Sequence, residues 1–197
     1  QKQKNINWEK RELLLQRLCD KYRKNDGNYD VLIPGSGGKD SGFQSHILKY
    51  KYGMNPLTVT WAPHLYTEIG WKNFTNWLHV GGFDNILHTP NGRLHRLLTK
   101  LAFKNLLHPF QPFILGQKQI GASMAEKFGI NLVMYGENQA EYGNEIDENK
   151  IPNLDPKYFS QKSSPLDLIL GGAKVKDIID QYDYKLNDFI PYFPFPY

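Results

Sequence analysis

The run Gly35-Ser36-Gly37-Gly38-Lys39-Asp40-Ser41 has the residue types and spacing to hold a polyphosphate. Glycines let the backbone come close to a ligand, so that amide N–H groups face its oxygens. A helix starting at such a turn adds the partial positive charge of its N-terminus. Lys39 contributes a full positive charge, and Asp40 is a carboxylate that can hold a divalent ion against phosphate oxygens. Two familiar phosphate loops are excluded. The Walker pattern needs Gly-Lys followed directly by Ser or Thr, and Asp40 follows Lys39. The dinucleotide fingerprint needs a third glycine, and counted from Gly35 and Gly37 that place is held by Asp40.

A second cluster stands at Gly136-Glu137-Asn138-Gln139-Ala140-Glu141-Tyr142-Gly143, where two carboxylates and two amides crowd one loop. Glu137 or Glu141 can complete a Mg2+ site with Asp40, since that ion takes a few carboxylates together with phosphate oxygens and water. Gln117 and Lys118, expected at a helix entry, could meet a phosphate there or simply be solvated. Arg93 and Arg96, three residues apart on one helical face, carry the same two readings. The 6 histidines are scattered without HxH or HxxxH spacing, which argues against a zinc site. The single cysteine, Cys19, forms no intramolecular disulfide and falls on an apolar helix face, as a buried thiol does.

These residues need elements to position them. Val31-Leu32-Ile33 is a short apolar run of the kind that fills a buried parallel strand. The glycine turn follows it, then a helix over 43–52 stopped by Gly53. Further strands are expected at 57–61, 85–88 and 131–135, and helices at 69–79, 93–107 and 118–128. Leu94, Leu97, Leu98, Leu101 and Ala102 share one face of the helix 93–107. Asn7 can cap an opening helix over 8–24. Strands alternating with helices predict a parallel α/β sheet covered on both faces. In such sheets ligands sit beyond the carboxyl ends of the strands, where strand order reverses. Segments 34–41, 62–68, 89–93 and 136–143 should therefore share one rim. Beyond Gly143, residues 144–163 lack periodicity and read as a surface loop or lid. Ser164-Pro165 opens a short helix, another covers 175–182, and the aromatic, proline-rich 189–197 either packs back or continues into further chain.

The 197 residues suit one domain, and 24 basic against 20 acidic side chains leave a net charge of only +4. No basic run marks a nucleic-acid tail, and no apolar run reaches the roughly 18 residues of a membrane span. One cysteine and no signal peptide lead to the expectation of a cytoplasmic protein. The first residue is Gln rather than Met, and the chain is read as a piece of a longer protein.

Ser36-Gly37-Gly38-Lys39-Asp40-Ser41 resembles the SGGxDS signature of the PP-loop ATP pyrophosphatases. With it, TWAPHLYTEIGWKNF, HTPNGRLHRLLTKLAF, PFQPFILGQKQIG and YGENQAEYG resemble segments of the N-acetyl sugar amidotransferase family, over about Trp8 to Phe159. Members of that family are longer, with a cysteine-containing segment before the PP-loop domain and more sequence after it. The resemblance implies a Rossmann-like fold of the adenine nucleotide alpha hydrolase type. It implies ATP-dependent, AMP-forming conversion of an acetamido sugar, free, nucleotide-linked or lipid-linked, to an acetamidino sugar in lipopolysaccharide O-antigen or flagellin glycan biosynthesis. Ammonia would come from a separate glutaminase subunit. On this reading the pyrophosphate lies on Pro34 to Ser41 with Gly136 nearby, and the adenosine lies against Thr60 and Trp61. Lys39 and Lys118 bind phosphate, Mg2+ sits on Asp40 with Glu137 or Glu141, and the other glutamate meets sugar or ammonia. Two alternatives stand beside it: a PP-loop enzyme that modifies tRNA, and an ATP-binding module without catalysis. One core cysteine and a charge of +4 weigh against the former.

Overall fold

Three parallel strands, β1 (Val31–Pro34), β2 (Pro56–Trp61) and β3 (Asp84–His88), pair in the order β1-β2-β3. The computed structural model describes residues 6–136 and 164–194. Every residue of β2 is buried, as expected of a central strand covered on both faces. The expected strand over 131–135 is reduced to one parallel bridge, Val133 beside Leu32. Leu32 N–H donates to Leu132 O and Met134 N–H donates to Leu32 O, both at 2.9 Å. The backbone of β1 stops the ladder at either end. Asp30 N–H is turned to Asn55 O instead, and Pro34 has no N–H to offer.

That bridge still fixes the topology. From β1 the chain steps outward to β2 and β3, then returns to the opposite side of β1, so the order reverses beside β1. Side chains alternate between the faces. Leu32, Leu57, Val59 and Trp61 pack with Leu94 and Leu98 of α4 (Gly92–Leu106) and Ile120 of α5 (Gln111–Lys127). Val31 and Ile33 pack on the other face with Cys19 of α1 (Trp8–Tyr22) and with Leu48. Leu48 lies in the π-helical turn Ile47–Lys51 that prolongs α2 (Lys39–His46). Beside them α3 (Glu68–His79) contributes Phe74 and Trp77. The fold is thus α/β with helices on both faces of the sheet.

Local chemistry accounts for the boundaries. Asn7 caps α1, accepting from Lys10 N–H at 2.8 Å, and Asn91 caps α4 by accepting from Arg93 and Leu94 N–H. Two expectations are corrected. The helix after the glycine turn begins at Lys39 rather than residue 43, because Gly38 is its N-cap and no spacer intervenes. The helix expected from 118 begins at Gln111, and Pro112 is accommodated because a proline in the first helical turn loses no intrahelical bond. Gln117 and Lys118 accordingly stand in mid-helix, not at a helix entry.

The C-terminal part adds a hairpin of β4 (Ile169–Leu170) and β5 (Ala173–Lys174), then α6 (Val175–Gln181) and a 3-10 helix over Leu186–Tyr192. Ser164-Pro165 opens a single 3-10 turn. The described part of the aromatic tail, up to residue 194, packs back: Phe189 and Tyr192 are buried in the core with α5 and α6. Residues 144–163, read as a lid, lie outside the described residues.

Candidate functional site

The glycine turn leaves β1 at the point where strand order reverses. Its first residue is held from the sheet below. Gly35 N–H donates to Val59 O at 2.9 Å, and the Thr60 hydroxyl donates to Gly35 O at 2.7 Å. Asn85 Nδ2 donates in turn to the hydroxyls of Thr60 at 3.1 Å and Thr58 at 2.9 Å. A polar ladder across three strands therefore ends on the turn.

Two glycines are required by packing. A Cβ on Gly35 would lie 2.5 Å from Ser41 Cβ. Gly37 has φ +78° and sits so near α3 that a Cβ would lie 2.8 Å from Phe74 Cα. The helix behind the turn is tied down as well: Trp77 Nε1 donates to Ser45 Oγ at 2.7 Å, and Ser45 Oγ donates to Ser41 O at 2.7 Å. Ser41 Oγ reaches back to Gly38 O at 3.2 Å.

Against these buried anchors, the charged residues of the turn stand outward. Lys39 and Asp40 form a 2.6 Å ion pair with side chains 89% and 62% exposed. An exposed pair between neighbouring residues contributes little to stability. Helix α2 also starts without a side-chain cap, so its N-terminal dipole faces the rim. Hydrogen-bonded backbone below and exposed opposite charges above suit an anion and its counter-ion.

Gly136, the last described residue of the fourth segment, lies against α2: a Cβ there would come within 3.2 Å of the Asp40 backbone and 2.8 Å of Gln44 Oε1. The structure thus brings together Pro34 to Ser41 and Gly136. Glu137 and Glu141 fall outside the described residues. Helix α5 crosses the strand ends on the opposite face. Gly116 presses on the Trp61 ring, and a Cβ on Gly121 would lie 2.8 Å from Pro34 Cγ. Lys118 stands between those contacts, partly buried, and burial lowers the pKa of its ammonium group.

Thr60 and Trp61 are buried rather than open to a ligand. The Thr60 hydroxyl is occupied by Gly35, whereas the Trp61 indole N–H has no hydrogen-bond partner among the described residues. Gln117, Arg93 and Arg96 are exposed. A groove of about 510 Å³ runs beside the turn between α2 and α3, lined by Gly37, Gly38, Lys39, His46, Asn73 and Asn76 among others. Among the described residues no group of three or more His, Cys, Asp or Glu is arranged to hold a metal. Asp40 as a lone exposed carboxylate fits Mg2+, which keeps waters and phosphate oxygens in most of its positions.

One constellation escaped the sequence. His64, in the loop after β2, has its Nε2 2.8 Å from Nε2 of His95 on α4, and His95 Nδ1 lies 2.7 Å from the Tyr192 hydroxyl. Positions 64, 95 and 192 share no spacing motif, and only the fold joins them. Among the described residues no helix is long and apolar enough to cross a membrane. No family model matches the chain, and no curated protein matches it.

Proposed function

We propose that the chain is the ATP-binding domain of an AMP-forming amidotransferase of the PP-loop type that acts on an acetamido sugar. The observation that carries this reading is the position of Ser36 to Ser41. The turn follows the strand beside which the order reverses, with its anchors buried and Lys39 and Asp40 exposed.

Bound ATP would supply an adenylyl group that makes the acetamido oxygen, a poor leaving group, replaceable by ammonia with release of AMP. The chain's own residues position and neutralise. The amides of the turn and the α2 N-terminus receive phosphate oxygens. Lys39 exchanges its contact with Asp40 for a phosphate, and Asp40 is then available to hold Mg2+. Lys118, with its charge already disfavoured by burial, gains most from an anion placed beside it. Glu137 or Glu141 is assigned the second metal contact, and ammonia is assigned to a glutaminase partner.

The test is product analysis. The protein is incubated with Mg2+, ATP, ammonium and an acetamido sugar, and nucleotides are separated by chromatography. AMP with pyrophosphate is expected, and ADP with phosphate would remove the reading.

A further inference from the structure

We propose that Tyr192, His95 and His64 form a directed hydrogen-bond chain. It fixes His64 in the tautomer with its Nδ1–H outward, a donor for an acceptor atom on a ligand bound at the strand-end rim. The ligand half of this inference rests on the function proposed above. The direction of the chain does not.

The direction follows from the buried end. Tyr192 is 1% exposed and, among the described residues, its hydroxyl has one hydrogen-bond partner, His95 Nδ1 at 2.7 Å. A hydroxyl with one partner donates to it, because a buried O–H left unbonded costs more than a spare lone pair. His95 Nδ1 is then the acceptor, and a neutral ring must carry its proton on Nε2. That Nε2–H points at His64 Nε2, 2.8 Å away, which must accept. The proton of neutral His64 is therefore on Nδ1. His64 is exposed, so this N–H is the accessible end of the chain.

The surroundings keep the arrangement in place. Phe110, the N-cap of α5, and Phe113 within it flank the His64 ring at 6.1 and 5.0 Å between centroids, α4 contributes His95, and the C-terminal segment contributes Tyr192. Among the described residues, no carboxylate pairs or hydrogen-bonds with either imidazole. Burial, and then the neighbouring His64, hold the His95 pKa down at about 4, so its ring is neutral at neutral pH. His64 sits in the segment after β2, on the edge of the sheet that also carries the glycine turn. A fixed N–H donor there suits an oxygen or nitrogen acceptor, which ATP and an acetamido sugar both offer.

Nitrogen-resolved NMR of the ligand-free protein near neutral pH reads the tautomers. His95 is expected protonated on Nε2 and His64 on Nδ1, and Tyr192→Phe, which keeps the ring but removes the donor, should abolish the single tautomer of His64. His64 protonated on Nε2 in the wild type would reverse the chain and overturn the proposal. The second arm titrates ATP into wild type, His64→Ala and His64→Asn, whose amide N–H can stand in for Nδ1–H. A loss of roughly tenfold in Ala, largely restored in Asn, marks the nucleotide as the acceptor. Unchanged ATP binding with a raised KM and steady kcat for the acetamido sugar marks the sugar. No change in either sinks the ligand half. A wild type that binds no ATP counts against the function proposed above, and the tautomers still decide the chain.

Discussion

The Thr60 hydroxyl donates to the carbonyl oxygen of Gly35 at 2.7 Å, so a buried side chain of the second strand holds the first residue of the glycine turn. One step down the same strand, the Thr58 hydroxyl donates to Asp84 O at 2.6 Å, a bond that stays within the sheet. The two threonines are alike in burial and in their shared donor, Asn85. They differ in what they hold.

Thr60→Val and Thr58→Val should therefore cost similar stability, about 1–2 kcal/mol each, since each strips a part-buried carbonyl and Asn85 of a partner. Only Thr60→Val should also weaken ATP binding, because only it releases the turn. Denaturant unfolding and nucleotide titration of both variants check this. Equal binding by the two would mean that Thr60 is merely structural.

Two glycines of the turn region should respond in opposite directions to alanine. Gly37 has φ +78° and would drive a Cβ to 2.8 Å from the Phe74 backbone. Gly37→Ala should cost at least about 2 kcal/mol and displace the turn. Gly42 lies within α2 with nothing inside 4 Å of an added Cβ. Gly42→Ala should stabilise the fold by up to about 1 kcal/mol. Thermal unfolding of the pair gives the sign, and two destabilised variants would contradict the packing described.

Much of this arrangement was legible from the residues. The apolar run at Val31, the turn and the cap Asn7 are local signals, and they fell where local chemistry puts them. The start of α2 at Lys39, the start of α5 at Gln111 and the single bridge at 131–135 departed from expectation for equally physical reasons. Pro112 resembles a breaker unless its place in the first turn of α5 is known. The segment 131–135 has a strand's composition, but whether it pairs depends on its neighbour, and Pro34 and Asp30 withhold the needed N–H groups. Strands of two residues such as β4 and β5 carry no periodicity to read. The contact of His64 with His95 and Tyr192 depends on the docking of the tail, which no spacing encodes.

Lys39→Met and Asp40→Asn separate function from folding. Their side chains are 89% and 62% exposed and pair with each other. Either change should alter stability by less than about 0.5 kcal/mol. ATP binding should nevertheless fall by tenfold or more in each, as expected when a charge-assisted phosphate or metal contact is lost. With Asp40→Asn the remaining binding should also lose its dependence on Mg2+, which titration with and without a chelator reveals. Normal affinity in both variants would return the turn to a purely structural role.

Acid should unfold the protein through His95 before the carboxylates titrate. Burial, and then His64, hold its pKa at about 4 in the fold, against an ordinary 6.5. The unfolded chain therefore binds a proton that the folded one refuses whenever the pH lies between these values. Stability is full above about pH 6.5, falls as pH drops toward 4, and stops falling on this account below 4. The whole shift corresponds to about 3 kcal/mol, of which about 2 kcal/mol is lost between about pH 7 and pH 5. His88, its pKa also lowered by burial, adds a loss of the same sign. Glu12 and Asp26 have lowered carboxyl pKa values and act only at more acid pH. His95→Gln removes the titrating ring, so the comparison with wild type isolates its share. Denaturant unfolding of both proteins over this range should show the wild type losing about 2 kcal/mol more than the variant. Parallel curves would show that His95 takes up its proton inside the fold at the ordinary pH, and that its bonds to His64 and Tyr192 do not hold it neutral.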